Sequence, residues 1–387
     1  MTVPAVNWNY PTAIKAGPGR IKELPGYCRE LSMQSPLLVT DPGLAVLPMI
    51  REALATCSDA GMACAVFHDI KGNPTGRNVE DGVAAFKRGR HDGVVAFGGG
   101  SALDAGKAIA LMAGQDRPLW DFEDVGDNYL RVNVAGMAPV VAVPTTAGTG
   151  SEVGRASVIT DEAAHVKRII FHARMLPSIV ILDAELTVGL PPKITAATGM
   201  DALSHNLEAY CSPVFHPMAA GIALEGMRLI KEYLPQVVAD GTDLQARQQM
   251  LVASCMGATA FQRGLGAMHA LAHPLGALYD AHHGLLNAIL MPYVLKANEQ
   301  AVAPRLEALA RYLGLPQQGP GAVLDWVLAL REAVGIPHTL AEIGLDDAQA
   351  ERVGRMASQD PSAGTNPVNF SAEKYSQLFR AAIRGNL

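Results

Sequence analysis

Residues 93–110, GVVAFGGGSALDAGKAIA, pass from an apolar run through three glycines into a helix start with no spacer. Few folds accept such a segment. A strand that is apolar on both faces must be covered on both faces, which is the condition of a parallel sheet flanked by helices. PLLVTD (36–41), ACAVFHD (63–69), PVVAVPTT (139–146) and SIVILD (178–183) read as further buried strands. Helical patterns such as RNVEDGVAAFKRGR (77–90) and SALDAGKAIALMAG (101–114) lie between them. Strands alternating with helices predict a mostly parallel α/β sheet.

The character changes after LTVGLPPKIT. From about Thr195, strand-like runs nearly vanish. AAGIALEGMRLIKEYLPQVV, DLQARQQMLVASCMGATAF and PRLEALARYLGL carry helical periodicity instead. A chain of 387 residues is long for one core, so two domains are expected. The expected division is an α/β nucleotide-binding domain over 1–187 and an all-helical domain over 188–387. The terminal SAGTNPVNFSAEKYSQLFRAAIRGNL reads as a loop leading into one last helix.

Composition removes several function classes. The net charge of −6 is mild and no basic run occurs, which argues against nucleic acid as a partner. The five cysteines are scattered without a C-x-x-C, a pattern of reducing compartments rather than of a disulfide framework. MTVPAVNWNYPTAIKAG has neither a basic nor an apolar leader region, and no apolar run is long enough to span a bilayer. A cytoplasmic protein with no membrane partner is the expectation.

The glycine turn allows two readings. Ser101 can cap the helix, and the glycines let backbone N–H groups approach a phosphate. The turn fails the G-x-G-x-x-G fingerprint at Leu103, and it fails the Walker pattern at Ser101 and Ala108. Taken alone, it is equally a tight strand-to-helix connection. PTTAGTGSE (144–152) sharpens the choice, because nine residues offer Thr145, Thr146, Thr149 and Ser151 as donors. Two such loops at strand carboxyl ends are where α/β sheets bind nucleotides. Asp41 closes PLLVTD and suits either a ribose hydroxyl, favouring NAD over its 2′-phosphate, or a D-P-G turn.

Histidine marks a second centre. Asp201/His205 and His269/His273 are each four residues apart, on one helical face and about 6 Å apart along the axis. Both pairs sit in apolar surroundings, where unpartnered polar groups are costly. His283 follows His269 by fourteen residues, about 21 Å on a straight helix, so the chain must turn between them. The turn is expected near Asp280–His282, after an irregularity at Pro274/Gly276. Asp201, His205, His269 and His283 then meet at one cation, with His282 a bystander. Spacing leaves His273 open between ligand and pocket base. No cysteine falls in either motif, unlike most structural zinc sites.

Taken together, YPTAIKAGPG, VTDPGL, GNPT, GGGSALDAGKAIA, PTTAGTGSEV, GMDALSHNLEAY and the H-x3-H-P-L-G…HHG…NAILMPYV block resemble the group III, iron-dependent alcohol dehydrogenases over nearly the whole chain. The motifs look most like the 4-hydroxybutyrate dehydrogenase-like branch. The resemblance implies the architecture shared with dehydroquinate synthases, NAD as cofactor, and a divalent ion, Fe²⁺ or Zn²⁺, on Asp201, His205, His269 and His283. It puts His273 beside the nicotinamide. It assigns dinucleotide contacts to Asp41, Gly99, Gly100, Ser101, Asp104, Thr145, Thr146, Thr149, Ser151 and Lys167. The implied reaction is hydride transfer between a short alcohol and nicotinamide by a homodimer.

Arg155 and Arg263 stand where many relatives carry small or polar residues. Each is read as a salt-bridge partner or as a clamp for a substrate carboxylate. Together they suggest an ω-hydroxy acid such as 4-hydroxybutyrate. The alternatives are a lactaldehyde- or propanediol-type diol, a glycerol dehydrogenase-like enzyme, and a non-catalytic nucleotide-binding relative.

Overall fold

The computed structural model describes residues 9–10, 12–164 and 166–387, so Pro11 of YPTAIKAGPG and His165 of HVKRII lie outside the described residues. Two compact units emerge. One comprises Pro11–Thr146 and Gly150–Gly189, and the other gathers Leu190–Leu387 with Ala147–Thr149.

In the first unit, β1 (Ala13–Ala16), β2 (Pro36–Val39), β3 (Ala65–Phe67), β4 (Gly93–Gly98), β5 (Val140–Pro144) and β8 (Ile179–Leu182) form one sheet in the order β1-β8-β5-β4-β2-β3. Every pairing in it is parallel. The four inner strands are buried along their length, which explains why they read as continuous apolar runs. The edge strands β1 and β3 keep exposed positions. Helices α1 (Leu24–Glu30), α2 (Pro42–Ala45), α3 (Pro48–Asp59), α4 (Gly76–Arg88) and α5 (Gly100–Met112) connect them. An antiparallel hairpin, β6 (Ala156–Asp161) with β7 (Val166–Phe171), lies apart from the main sheet. The five expected strands are present; β1 and this hairpin were not anticipated.

From β2 the chain moves outward to β3 and then returns to the other side of β2 as β4. Strand order therefore reverses between β2 and β4, the place where open α/β sheets hold ligands. Asp41 and the glycine turn lie just beyond the carboxyl ends of these two neighbours.

The second unit is helical: α6 (Pro192–Cys211), α7 (Pro217–Ala239), α8 (Leu244–Ala260), α9 (Ala267–Tyr279), α10 (His283–Tyr312), α11 (Gly321–Ala333), α12 (Ala350–Gln359) and α13 (Ala372–Arg384). α6 is its axis. It starts on Pro192, whose missing N–H costs nothing at a helix start, and every residue from Thr195 to Cys211 is buried. A helix without a polar face must be enclosed by others; α7, α8 and α10 enclose it. No helix among the described residues is long and apolar enough to cross a membrane.

Candidate metal centre and nucleotide loops

Asp201 and His205 sit one turn apart on α6, with 1% and 4% of their surfaces exposed. α9 supplies His269, 1% exposed. One ligand atom from each of Asp201, His205 and His269 lies within 4.8 Å of the other two. α9 continues through Pro274 and Gly276 without ending there. It stops at Asp280, which takes the left-handed conformation (φ 50). His282 N-caps α10, its Nδ1 accepting from the Leu285 N–H at 3.3 Å. His283 then opens α10, with Nε2 3.9 Å from Asp201 Oδ1.

Each buried ring is fixed from behind. His205 Nδ1 lies 3.2 Å from the Gly148 carbonyl oxygen and donates to it. His269 Nδ1 lies 2.6 Å from Glu208 Oε2. Burial, reinforced by His205, holds the His269 pKa well below the imidazole range, so the ring is neutral. Its Nδ1 carries the proton and its Nε2 offers a lone pair. That is how proteins orient metal-binding imidazoles.

Glu208 also accepts from the Gly266 N–H at 2.8 Å and the Met268 N–H at 2.7 Å. Burial pushes its carboxyl up to about 7, against the pull of those N–H groups. Three groups converge on its two oxygens, and the carboxylate form accepts from all of them. A carboxylate at the first turn of α9 also opposes the positive end of the helix dipole.

Glycines let several segments approach α6 closely, two of them on the flanks that carry Thr198 and Asp201. A Cβ on Gly148 would lie 2.7 Å from Thr198 Cβ, and one on Gly284 would lie 2.7 Å from the Ala197 carbonyl and 3.0 Å from Asp201 Cβ.

His273 stacks on His283, with ring centroids 5.5 Å apart and planes at 10°. Its Nδ1 lies 2.8 Å from Asp360 Oδ2. That carboxylate's pKa is lowered; burial opposes the shift and His273 drives it. Three imidazoles and one carboxylate, two of the rings anchored through Nδ1, fit a divalent ion such as iron or zinc.

In the sheet unit, Asp41 Oδ1 caps α2 by accepting from Gly43 N (2.9 Å) and Leu44 N (3.0 Å). The turn reading of Asp41 is therefore realised, and Oδ2 stays outside those two bonds. Gly99, not Ser101, is the N-cap of α5; Gly100 and Ser101 form the first turn. Thr145 N–H donates to the Gly98 carbonyl at 3.0 Å, and a Cβ on Gly99 would lie 3.5 Å from the Thr146 methyl. Thr149 belongs with the helical unit. The Asp104 carboxylate accepts from Ser151 Oγ (2.5 Å) and Val158 N (2.9 Å) and pairs with buried Lys107 at 3.2 Å. It therefore ties the loop and the β6–β7 hairpin to α5. Lys167 Nζ donates to Asn73 Oδ1 at 2.7 Å.

The two arginines belong to different units. Arg155 stacks over Phe171, 5.6 Å from the ring centroid. Arg263 is 5% exposed and donates to the Ser212 carbonyl at 2.5 Å. Burial, with Arg305 nearby, lowers its pKa to about 10. Arg305 donates to the Tyr210, Cys211 and Ser212 carbonyls, so the two guanidinium groups cap the carboxyl end of α6. Arg263 is therefore partnered by a backbone carbonyl rather than by a neighbouring acid.

Sequence reasoning missed three residues. Glu208 lies in the quoted GMDALSHNLEAY, where a carboxylate inside an apolar helix was a usable signal. Asn287 lies one turn after His283. Asp360 is 87 residues from His273 and carries no local signal.

Comparison with known proteins agrees with this chemistry. Residues 11–184 match the family described as iron-containing alcohol dehydrogenase, and residues 195–383 match the Fe-containing alcohol dehydrogenase family, C-terminal. A 4-hydroxybutyrate dehydrogenase of Cupriavidus necator is 36% identical, covering 97% of this chain and 99% of its own. An NAD-dependent methanol dehydrogenase of Bacillus methanolicus is 35% identical over 97% of this chain and 100% of its own. The crystal structure of a 1,3-propanediol oxidoreductase superposes with a TM-score of 0.93 at 35% identity, covering 98% of this chain and 100% of that one.

Proposed function

We infer the function from a fixed premise: the chain belongs to the iron-containing alcohol dehydrogenase family. It is an alcohol dehydrogenase, and we propose that it interconverts short primary alcohols and their aldehydes with NAD. The observation that carries the reading is the buried trio Asp201, His205 and His269, with ligand atoms within 4.8 Å of one another. These residues and His283 would hold Fe²⁺, and Zn²⁺ suits the same donors. When bound, the ion supplies Lewis-acid polarisation of an oxygen, and the nicotinamide supplies a hydride acceptor.

The protein's own groups have distinct tasks. Glu208 and the Gly148 carbonyl keep the Nε2 atoms of His269 and His205 turned inward. Asp201 offsets part of the ion's charge. His273, oriented by Asp360, holds a proton at Nε2 or passes one on. The N–H groups of the first turn of α5 suit a pyrophosphate, with Thr145, Thr146, Thr149 and Ser151 as further donors. Asp41 Oδ2 suits a ribose hydroxyl, and Lys167 with Asn73 offers a further polar contact. The division at 187, a homodimer and a cytoplasmic location belong to the same reading.

Two substrate classes are proposed. The Cupriavidus necator relative favours an ω-hydroxy acid. An uncharged diol of the 1,3-propanediol type is favoured by Arg263, whose guanidinium faces the end of α6 rather than the ligand cluster. NAD reduction by 4-hydroxybutyrate, 1,3-propanediol and ethanol, with protein reconstituted in Fe²⁺ or Zn²⁺, tests the reading. Absence of any metal-dependent NADH signal sinks it. An Arg155→Ala variant with unchanged KM for 4-hydroxybutyrate removes Arg155 as a carboxylate clamp.

A further inference from the structure

The ligand cluster contains a fifth side chain that carries no ligand atom of the expected kind. Asn287 is fully buried on α10, one turn beyond His283. Its amide nitrogen lies 2.8 Å from Asp201 Oδ1, 3.1 Å from His269 Nε2 and 3.2 Å from His283 Nε2. One atom thus touches groups from α6, α9 and α10.

The orientation of this amide follows from its neighbours. Turned over, its carbonyl oxygen would face the Asp201 carboxylate, oxygen against oxygen. His269 Nε2 is likewise a lone pair, because Nδ1 donates to Glu208. Two acceptors therefore select the NH₂ group, and the amide has only two hydrogens for three neighbours. The cost falls on the other end. Among the described residues, Asn287 Oδ1 is buried without a hydrogen-bond partner. A side chain selected for packing alone would carry no such atom, and native structures rarely tolerate one without a reason.

We propose that Asn287 is a positioning residue of the metal centre. Its amide donates to the Asp201 carboxylate, which keeps further lone pairs for the ion, and it holds the His269 and His283 Nε2 atoms facing one point until the ion takes their lone pairs. The proposal rests on Asp201, His205, His269 and His283 being the ligands. It adds a neutral donor, not a fifth ligand, and outer groups of this kind typically change metal affinity by about 10- to 100-fold.

The test uses the full-length protein, stripped by chelator and titrated with Zn²⁺ or Co²⁺ against a chromophoric competitor. Asn287→Ala should weaken binding about 10- to 100-fold and alter the visible bands of the Co²⁺ form. Asn287→Asp keeps the shape, removes both donors and sets a carboxylate against Asp201. It should lower the melting temperature of the stripped protein and widen the gap between the stripped and Zn²⁺-loaded forms. Asn287→Asp also decides the matter if Asn287→Ala does not fold. Equal Zn²⁺ affinity in wild type and Asn287→Ala, or an unwidened gap in Asn287→Asp, overturns the proposal. A wild type that binds no Zn²⁺ or Co²⁺, or a His269→Ala variant that binds as wild type does, overturns the ligand assignment beneath it.

Discussion

Replacing Glu208 by Gln perturbs the support of the metal site without changing its shape. The carboxylate accepts from Gly266 N and His269 Nδ1 on Oε2 and from Met268 N on Oε1. Glutamine keeps one acceptor oxygen and turns the other into a donor. The less damaging orientation leaves oxygen on the Gly266/His269 side and sets NH₂ against the Met268 N–H. One charge-assisted bond, about 1.5–3 kcal/mol, is lost, and the Met268 N–H is left buried at a cost of about 1–3 kcal/mol. The two surviving bonds weaken toward neutral strength. Relief from burying a charge offsets part of this, for a net loss of about 2–4 kcal/mol. His269 also becomes a poorer donor and a freer ring, so metal affinity should fall roughly 10- to 100-fold. Urea unfolding of the chelator-stripped variant and competitive Zn²⁺ titration measure the two effects separately. If Zn²⁺ binds Glu208→Gln as tightly as wild type, the carboxylate is not holding His269 for the ion, whatever happens to stability.

Two other perturbations reach different parts of the molecule. Asp360→Asn should lower kcat by roughly 10²-fold while metal content stays at the wild-type level, because Asp360 contacts His273 and no ligand; an unchanged kcat takes the pair out of the proton path. Glu152 is fully buried, and burial raises its pKa from 4.5 to about 7 against the pull of its backbone and Lys107. Its contribution to stability is full below pH 4.5 and is lost as pH rises through about 7, a change of about 3 kcal/mol. Glu152→Gln should lose less stability than wild type between pH 5 and 8 in urea melts; an identical decline assigns the effect elsewhere.

What could be read from the sequence depended on how local the constraint was. Asp201/His205 and His269 were legible because one turn of helix puts four-residue spacings on one face. The four inner strands were legible because burial on both faces leaves an unbroken apolar run, and the edge strand β3 because ACAVFHD still carries an apolar stretch. The β6–β7 hairpin was not, because its alternating burial resembles an ordinary surface segment. Arg263 misled for a geometric reason. It lies six residues before His269, but Gly264 (φ 95) turns the chain between them and sends the guanidinium to the end of α6. Pro274 misled in the opposite sense, since α9 absorbs it without a break. Asp360 acts on a partner 87 residues away, and Asn287 reaches Asp201 and His269 on other helices, so spacing rules cover only its contact with His283 one turn before it.

Gly148 and Gly284 leave α6 without clearance on the flanks that carry Thr198 and Asp201. A helix held that tightly cannot slide outward to suit an ion of another radius, so the separation of Asp201 and His205 is set when the protein folds. Adjustability is concentrated at the opposite side of the cluster. There His283, a quarter exposed, hangs from the first residue of α10 beyond the Asp280 turn. Redesign for a different metal should accordingly begin at His283 and its turn and leave α6 untouched.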